Sequence, residues 1–222
     1  MKPWILLDSA PIPGGGELHL WQHVRDFVIR VGRDELMSSI VHGSEEALAS
    51  LACARLGGRP ALRVLVGGLG MGFTAAAALR AVGADGRVVV AELIPAVVAW
   101  NRGPLAHLAG APLSDPRLSV AVGDVADLLR TAVGAYDAIL LDVDNGPRSM
   151  TTGSNNWLYT AAGLAKTRRA LRPGGVLAVW SAGGDEAFTT RLKQVGFTVE
   201  VVPARSSGSK GSRHVIWIGV NR

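Results

Sequence analysis

The stretch from residue 64 to residue 73 reads VLVGGLGMGF: a β-branched run enters a loop with four glycines, and an alanine-rich segment follows. Glycines let the backbone approach a ligand closely, and the free N–H groups of a following helix favour an anionic or polar ligand. Loops of this kind cradle a dinucleotide, a nucleotide phosphate or a sulfonium nucleoside. Because no Gly-Lys-Ser/Thr follows, the pattern excludes a phosphate-binding P-loop. A tight strand-to-helix turn is the purely structural alternative.

Two acidic residues follow this loop at positions that suit a bound nucleoside. Glu92 ends the next strand-like run, about twenty residues past the loop, where a carboxylate can accept both hydroxyls of a ribose. It would serve a nicotinamide cofactor and an adenosyl cofactor equally well. Asp124 ends the third strand, where it could accept from an adenine amino group, cap the helix that follows, or do both.

The segments that carry these residues alternate between strands and helices after residue 60. Repeated β-α units predict a mainly parallel sheet with helices on its faces. The last two strands, FTVEVVP and RHVIWIGVN, are joined only by the loop ARSSGSKGS, so we expect them to be antiparallel neighbours. Such a closing hairpin suits a methyltransferase fold better than a dehydrogenase.

The chain before residue 60 has a different pattern. Three strand-like pieces, WILLD, ELHLW and DFVIRVG, predict a small antiparallel meander. A helix is expected over HGSEEALASLACARLGG, with Ser44 as its N-cap. These patterns predict two units, a β-meander over residues 1–43 and a catalytic domain over residues 44–222.

Five segments in this order resemble the spermidine synthase-like branch, the polyamine aminopropyltransferases, of the class I S-adenosylmethionine-dependent methyltransferase fold. They are VLVGGLGMGF, VAELIPAVVAWNR, VAVGDVADLL, YDAILLDVDNGP and RRALRPGGVLAV. The resemblance implies an α/β, Rossmann-like fold: a mainly parallel seven-stranded sheet with an antiparallel last strand, plus a short N-terminal antiparallel β-meander. It also implies S-adenosylmethionine or decarboxylated S-adenosylmethionine as the co-substrate and a small amine as the acceptor.

The resemblance assigns the donor site residue by residue. Glu92 matches the family's ribose-binding glutamate, and Asp124 and Val125 match the pair at the adenine. The family's donor-binding glycine loop is matched by Gly67, Gly68, Gly70 and Gly72.

On the acceptor side, Asp142 matches the first aspartate of the family's D-S-S-D-P motif, the proposed base and amine-orienting group. A sulfonium carbon is attacked by a neutral nucleophile, whereas an amine at pH 7 is mostly protonated, so a carboxylate that accepts its proton assists. The first and fourth strands are neighbours in this fold, so Asp142 would face the glycine loop. Asp144 could share that role, and Tyr159 lies where the family often has a tyrosine.

Three more residues are candidates for contact with the acceptor. His42 and Glu45 belong to HGSEE, near the family segment that closes over the acceptor, and Trp157 could wall the pocket. Structural roles compete with these, because a lone histidine before a helix is usually structural and tryptophans often pack in cores or lids. The histidines show no metal-ligand spacing, so we expect no metal.

One departure from the family pattern bears on the donor. Family aminopropyltransferases carry an aspartate inside the glycine loop that grips the donor's ammonium, and here that position is Gly70. Three hypotheses therefore remain: an aminopropyltransferase acting on a polyamine or related amine, an S-adenosylmethionine-dependent methyltransferase, and a non-catalytic adenosyl-binding protein. A nicotinamide enzyme is a more distant alternative.

Composition limits the class of protein and its cellular location. The 222 residues are 48% hydrophobic and 18% charged, which is typical of a globular chain. No apolar run is long enough to span a bilayer, no signal-peptide pattern is present, and the single cysteine fits a reducing cytoplasm. The net charge of +5 lies mostly late in the chain and could meet nucleic acid, but without an aromatic–basic motif a solvated helix face is favoured. We expect a homodimer, because the family often forms dimers.

Overall fold

The structure, a computed structural model, describes residues 2–143, 155–206 and 211–222. Its strands form two sheets. The first contains β1 (Ile5–Pro11), β2 (Glu17–His23), β3 (Asp26–Val31) and β4 (Asp34–Ser38). The second contains β5 (Arg63–Gly67), β6 (Arg87–Glu92), β7 (Leu118–Val122), β8 (Tyr136–Leu141), β9 (Leu171–Ser181), β10 (Phe197–Arg205) and β11 (Arg213–Asn221). The α-helices are α1 (Gly43–Ala54), α2 (Phe73–Ala81), α3 (Pro95–Arg102), α4 (Val125–Thr131), α5 (Ala161–Ala170) and α6 (Glu186–Gln194).

The larger sheet confirms the predicted α/β fold. Its strand order is β10-β11-β9-β8-β5-β6-β7, and the pairs among β5 to β9 are parallel. β11 lies antiparallel between β9 and β10, as the short last connection predicted. β5 and β8 are hydrogen-bonded neighbours, so the glycine loop after β5 and the segment after β8 leave the sheet side by side.

The N-terminal sheet is an antiparallel meander in the order β1-β2-β3-β4. The prediction of three strands was incomplete, because β4 adds a fourth. The β4 sequence DELMS has no apolar alternation, so the local pattern gives no strand signal. The strand forms because it pairs with β3, where Met37 lies opposite Ile29.

The start of α1 differs from the prediction. Ser44 is not the N-cap; His42 occupies that position and makes no side-chain cap hydrogen bond. The helix begins two residues earlier than expected, and the Ser44 hydroxyl donates instead to Glu45 Oε2 over 2.7 Å. Ser44 is thereby buried beside the crevice described below.

One hydrophobic core joins the meander to the larger sheet. Leu20 and Ile29 from the meander belong to the same buried cluster as Leu48 of α1 and Val64 of β5. Because these side chains share one core, the division at residues 43 and 44 stays a prediction. No helix in the described part of the chain is long and apolar enough to cross a membrane.

Candidate functional site

A crevice with a volume of about 470 Å³ opens at the carboxyl ends of β5, β6, β7 and β8. Ligands of open α/β sheets bind at this edge, where neighbouring connections leave in opposite directions. The meander covers the crevice through apolar side chains of β2, β3 and β4. The opposite wall comes from α1 and from Trp180 and His214, near the ends of β9 and β11. The site is therefore assembled from both sheets.

The glycine loop forms one wall of the crevice through Gly68 and Gly70. Gly68 has a φ of +90°, and a Cβ there would lie 2.4 Å from the backbone oxygen of Asp142, so only glycine fits. Gly67 and Gly72 are not among the crevice-lining residues; Gly67 packs against Val125, and Gly72 precedes α2. These two shape the loop.

Gly70 has a neighbour that the sequence did not indicate. A Cβ at this position would lie 3.1 Å from the sulfur of Met37, which reaches the loop from β4. The thioether therefore occupies the space into which a side chain at position 70 would extend. This part of the wall is formed by Gly70 and Met37 and contributes no charge.

Glu92 lies at the end of β6 and ties the glycine loop to the start of α3. Its Oε2 accepts from the backbone N–H of Leu69, and its Oε1 accepts from that of Ile94, each over 2.8 Å. The residue is 7% exposed and lines the crevice. Burial raises the pKa of Glu92, and the backbone N–H donors oppose that rise. Each oxygen keeps a further acceptor position, so both can still receive ligand hydroxyls.

Asp124 and Val125 follow β7 at the same edge and both line the crevice. Asp124 Oδ1 accepts from the backbone N–H of Ala126 over 2.8 Å, so this residue caps α4 as the sequence suggested. The cap and a ligand contact are compatible, because a carboxylate has two oxygens.

Asp142 follows β8 and lies directly beside Gly68 of the glycine loop, and both residues line the crevice. Its backbone N–H donates to Gly67 O over 2.9 Å, and its carboxyl is partly accessible from the crevice although protein atoms surround it. The Thr74 hydroxyl donates to Asp142 Oδ2 over 2.5 Å. Burial, and then the nearby carboxylate of Glu45, raise the pKa of Asp142 to about 7, whereas the bond from Thr74 lowers it. A carboxyl tuned to neutral pH can exchange a proton with a substrate.

Two predicted acceptor contacts lie elsewhere. The His42 ring stacks on Phe73, with centroids 3.9 Å apart, and its Nδ1 lies 3.2 Å from Glu46 Oε1. Trp157 packs under the guanidinium of Arg130, which lies 4.5 Å from the ring centroid. Neither is among the crevice-lining residues, whereas Glu45 is. The contact of His42 and Trp157 with an acceptor therefore stays a prediction.

The remaining predicted residues follow Asp142 in the chain. Tyr159 is 3% exposed and packs edge-on against Phe188. Its hydroxyl donates to the backbone oxygen of Val143 over 3.3 Å, so it supports the segment after Asp142. Asp144 lies outside the described residues. Within the described ranges, no group of three His, Cys, Asp or Glu side chains could hold a metal ion.

Sequence reasoning missed Met37, Thr74, Trp180 and His214, which all line the crevice. Thr74 offered a signal, since it is the only hydroxyl-bearing residue in the helix FTAAAALRA directly after the glycine loop. Met37 offered none, because its place depends on how the meander folds over the sheet.

Comparisons with known proteins agree with this architecture. No family model matches the chain. A polyamine aminopropyltransferase of Mycobacterium tuberculosis is 34% identical over 139 residues, which are 61% of this chain and 25% of that protein. Putrescine N-methyltransferase 3 of Nicotiana tabacum is 34% identical over 116 residues, 52% of this chain and 29% of that protein. The matches thus span about a quarter to a third of these relatives' length.

A solved structure extends the likeness to nearly the whole fold. A spermidine synthase in complex with the transition state analogue AdoDATO superposes with a TM-score of 0.77 and 17% sequence identity. The match covers 98% of this chain and 72% of that one. The chain therefore has the spermidine synthase-like fold, and over part of its length its sequence is similar to those of polyamine aminopropyltransferases.

Proposed function

We propose that this chain is a spermidine synthase-like transferase that moves an aminopropyl group from decarboxylated S-adenosylmethionine to a small amine. The observation that carries the proposal is the position of Asp142. Its carboxyl lines the crevice beside the glycine loop, where burial and Glu45 raise its pKa to about 7. The sequence similarity to polyamine aminopropyltransferases supports the same reaction.

The donor half of the crevice suits an adenosyl group. Glu92 would receive the ribose hydroxyls, and Asp124 with Val125 would border the adenine. Gly68 has no space for a side chain, so the ligand can approach the loop backbone closely. The structurally similar spermidine synthase holds the transition state analogue AdoDATO.

The reaction needs a base, and Asp142 is placed to act as one. The nitrogen lone pair of the amine attacks the carbon next to the sulfonium, the C–N bond forms, and the C–S bond breaks with its electrons left on sulfur. The amine loses one proton, which the Asp142 carboxylate accepts. Holding both reactants in one crevice supplies much of the remaining acceleration. The products are the alkylated amine and a neutral thioether nucleoside.

A methyltransferase acting on an amine is the second candidate. Two observations favour it: the uncharged wall of Gly70 and Met37, and the similarity to a putrescine N-methyltransferase. Neither residue offers the donor's aminopropyl ammonium a carboxylate. Both candidates share the adenosyl site, the amine acceptor and the base, and they differ only in the alkyl group transferred.

We extend the proposal to the oligomeric state and the cellular location of the protein. The exposed apolar residues Ile5, Leu6 and Leu7 on the edge strand β1 support a homodimer. The single cysteine supports a cytoplasmic location. Sedimentation of the purified protein would test the first point, since a monomer at all concentrations contradicts it.

The proposal is tested by turnover. The purified chain is incubated with putrescine and either decarboxylated S-adenosylmethionine or S-adenosylmethionine, and the products are separated by mass spectrometry. Addition of an aminopropyl group supports the first candidate, and addition of a methyl group supports the second. No product from either donor with a panel of amines would leave the third hypothesis, a non-catalytic adenosyl-binding protein.

A further inference from the structure

We propose that Thr74 is a positioning residue that holds Oδ2 of Asp142 and thereby leaves Oδ1 as the oxygen that accepts the proton from the attacking amine. This inference rests on the proposed function, because it assumes that Asp142 is the base. It adds which oxygen acts and which side chain selects it.

The first support is the geometry of the hydrogen bond. Thr74 is 2% exposed and lies in the first turn of α2, directly after the glycine loop. Its hydroxyl lies 2.5 Å from Asp142 Oδ2, at the short end of the range for an O–H donor to a carboxylate. No other described side chain or backbone group donates to the Asp142 carboxyl. Among the described residues, Oδ1 therefore receives no hydrogen bond, and it can accept one from a substrate.

The second support is a competition for a single proton. The Thr74 hydroxyl has one hydrogen and two acceptors within reach: Asp142 Oδ2 at 2.5 Å and the backbone oxygen of Glu45 at 3.3 Å. A bond to an ionised carboxylate is roughly twice as strong as one to a neutral carbonyl. The hydroxyl therefore points to Asp142 while that group is ionised. When Asp142 is protonated, the Glu45 carbonyl offers the buried hydroxyl a second partner.

The third support is the charge around Asp142. Glu45 on α1 faces it and disfavours its ionised form, and His214 on β11 lies close enough to feel the same Glu45 charge. Thr74 is the described group that favours the ionised form through a hydrogen bond. Without that bond, burial and Glu45 act unopposed, and Asp142 becomes a group that is mostly protonated at pH 7.

The test compares Thr74→Val with Thr74→Ser. Valine matches the shape of threonine but removes the hydroxyl, whereas serine keeps the hydroxyl. The readouts are kcat and the pH profile of kcat/KM, with decarboxylated S-adenosylmethionine and putrescine as the probe pair, or S-adenosylmethionine if that donor is the active one. Thr167→Val on α5 is the matched control, because Thr167 is fully buried and, among the described residues, its hydroxyl donates to Gly163 O, away from the crevice.

Thr74→Val should lower kcat by about tenfold and move the acid limb of the profile up by about one pH unit, since a hydrogen bond to a charged group is lost. Thr74→Ser should restore most of both values, and Thr167→Val should change neither. In an Asp142→Asn background, Thr74→Val should cause no further loss, because the group it positions is already disabled.

An unshifted acid limb in Thr74→Val would overturn the inference. So would a loss of kcat on adding Thr74→Val to Asp142→Asn that is as large as the loss in the otherwise wild-type protein. Failure of the proposed function has a different signature: Asp142→Asn itself would then retain wild-type turnover. If circular dichroism shows that Thr74→Val is unfolded, the test uses Thr74→Ser instead. The inference then requires the acid limb of the kcat/KM profile of Thr74→Ser to lie at the wild-type pH.

Discussion

The proposed donor side and the proposed acceptor side of the crevice are built in different ways. On the donor side, the Glu92 carboxylate receives two backbone N–H groups, and Asp124 receives one, so each acid is fixed by the chain next to it. On the acceptor side, Asp142 is held by one side chain, Thr74, and faces a second acid, Glu45. Backbone donors fix the positions of the first two carboxylates, whereas at Asp142 a single hydroxyl opposes the rise in pKa that burial and Glu45 cause. Under the proposed function, the donor side therefore serves to bind and the acceptor side to exchange a proton.

The sharpest way to separate the two sides is Asp142→Asn. The amide cannot accept the proton of the amine, so turnover should fall by about a hundredfold to ten-thousandfold. Donor binding should survive, because the proposed ribose and adenine contacts are made by Glu92, Asp124 and Val125 and not by the Asp142 carboxylate. Steady-state kinetics and calorimetric titration measure the two effects, with Asp127→Asn as an exposed control acid. Unchanged turnover would remove Asp142 from the mechanism.

Glu92→Gln should have the opposite pattern of effects, with donor binding weakened more than turnover. The new amide places N–H donors against the N–H of Leu69 or Ile94, so the glycine loop loses one of its ties. Donor affinity should fall by roughly tenfold to a hundredfold, which corresponds to the loss of one charged hydrogen-bond partner. With saturating donor, kcat should fall far less than in Asp142→Asn. Glu46→Gln on α1 is the control, because Glu46 is half-buried but is not among the crevice-lining residues. An unchanged donor Kd in Glu92→Gln would contradict the assigned role.

Stability should respond to pH at Asp142. Its pKa in the folded protein, about 7, lies above the value of 3.8 for the unfolded chain, so the folded state favours the protonated form. The stability from this group is complete below pH about 4 and is lost as pH rises toward 7. Asp142→Asn, which stays neutral, should therefore melt several degrees higher than wild type at pH 8 and equally at pH 4. A melting difference that is independent of pH would show that burial does not tune this carboxyl.

The smallest effect is expected at Asp124. Asp124→Ala removes the α4 cap and should cost about 1 kcal/mol of unfolding free energy, together with a few-fold loss of donor affinity. Asp185→Ala is a matched control, because Asp185 caps α6 through Phe188 N–H outside the crevice. Urea titration should show similar losses for both variants, and calorimetry should show weaker donor binding only for Asp124→Ala. Equal donor affinities would make Asp124 a cap alone.

The same contrast explains how far the sequence could be read. Glu92 and Asp124 end strands at spacings that follow from the β-α repeat, so local pattern was enough to place both at one edge of the sheet. The fold followed for the same reason. Met37 and His214 reach the crevice from elements distant in sequence, and their places depend on packing between the two sheets. His42 was assigned to the substrate from its position before α1; its ring stacks on Phe73, and the assignment stays a prediction.

The central claim is that the crevice binds an adenosyl sulfonium donor and prefers the decarboxylated one. Calorimetric titration of the purified protein with decarboxylated S-adenosylmethionine, and separately with S-adenosylmethionine, tests it most directly. We predict that both bind, that the decarboxylated donor binds more tightly, and that Glu92→Gln weakens both. Tighter binding of the carboxylated donor would contradict the aminopropyl assignment and favour methyl transfer. Binding of neither donor would contradict the adenosyl site itself.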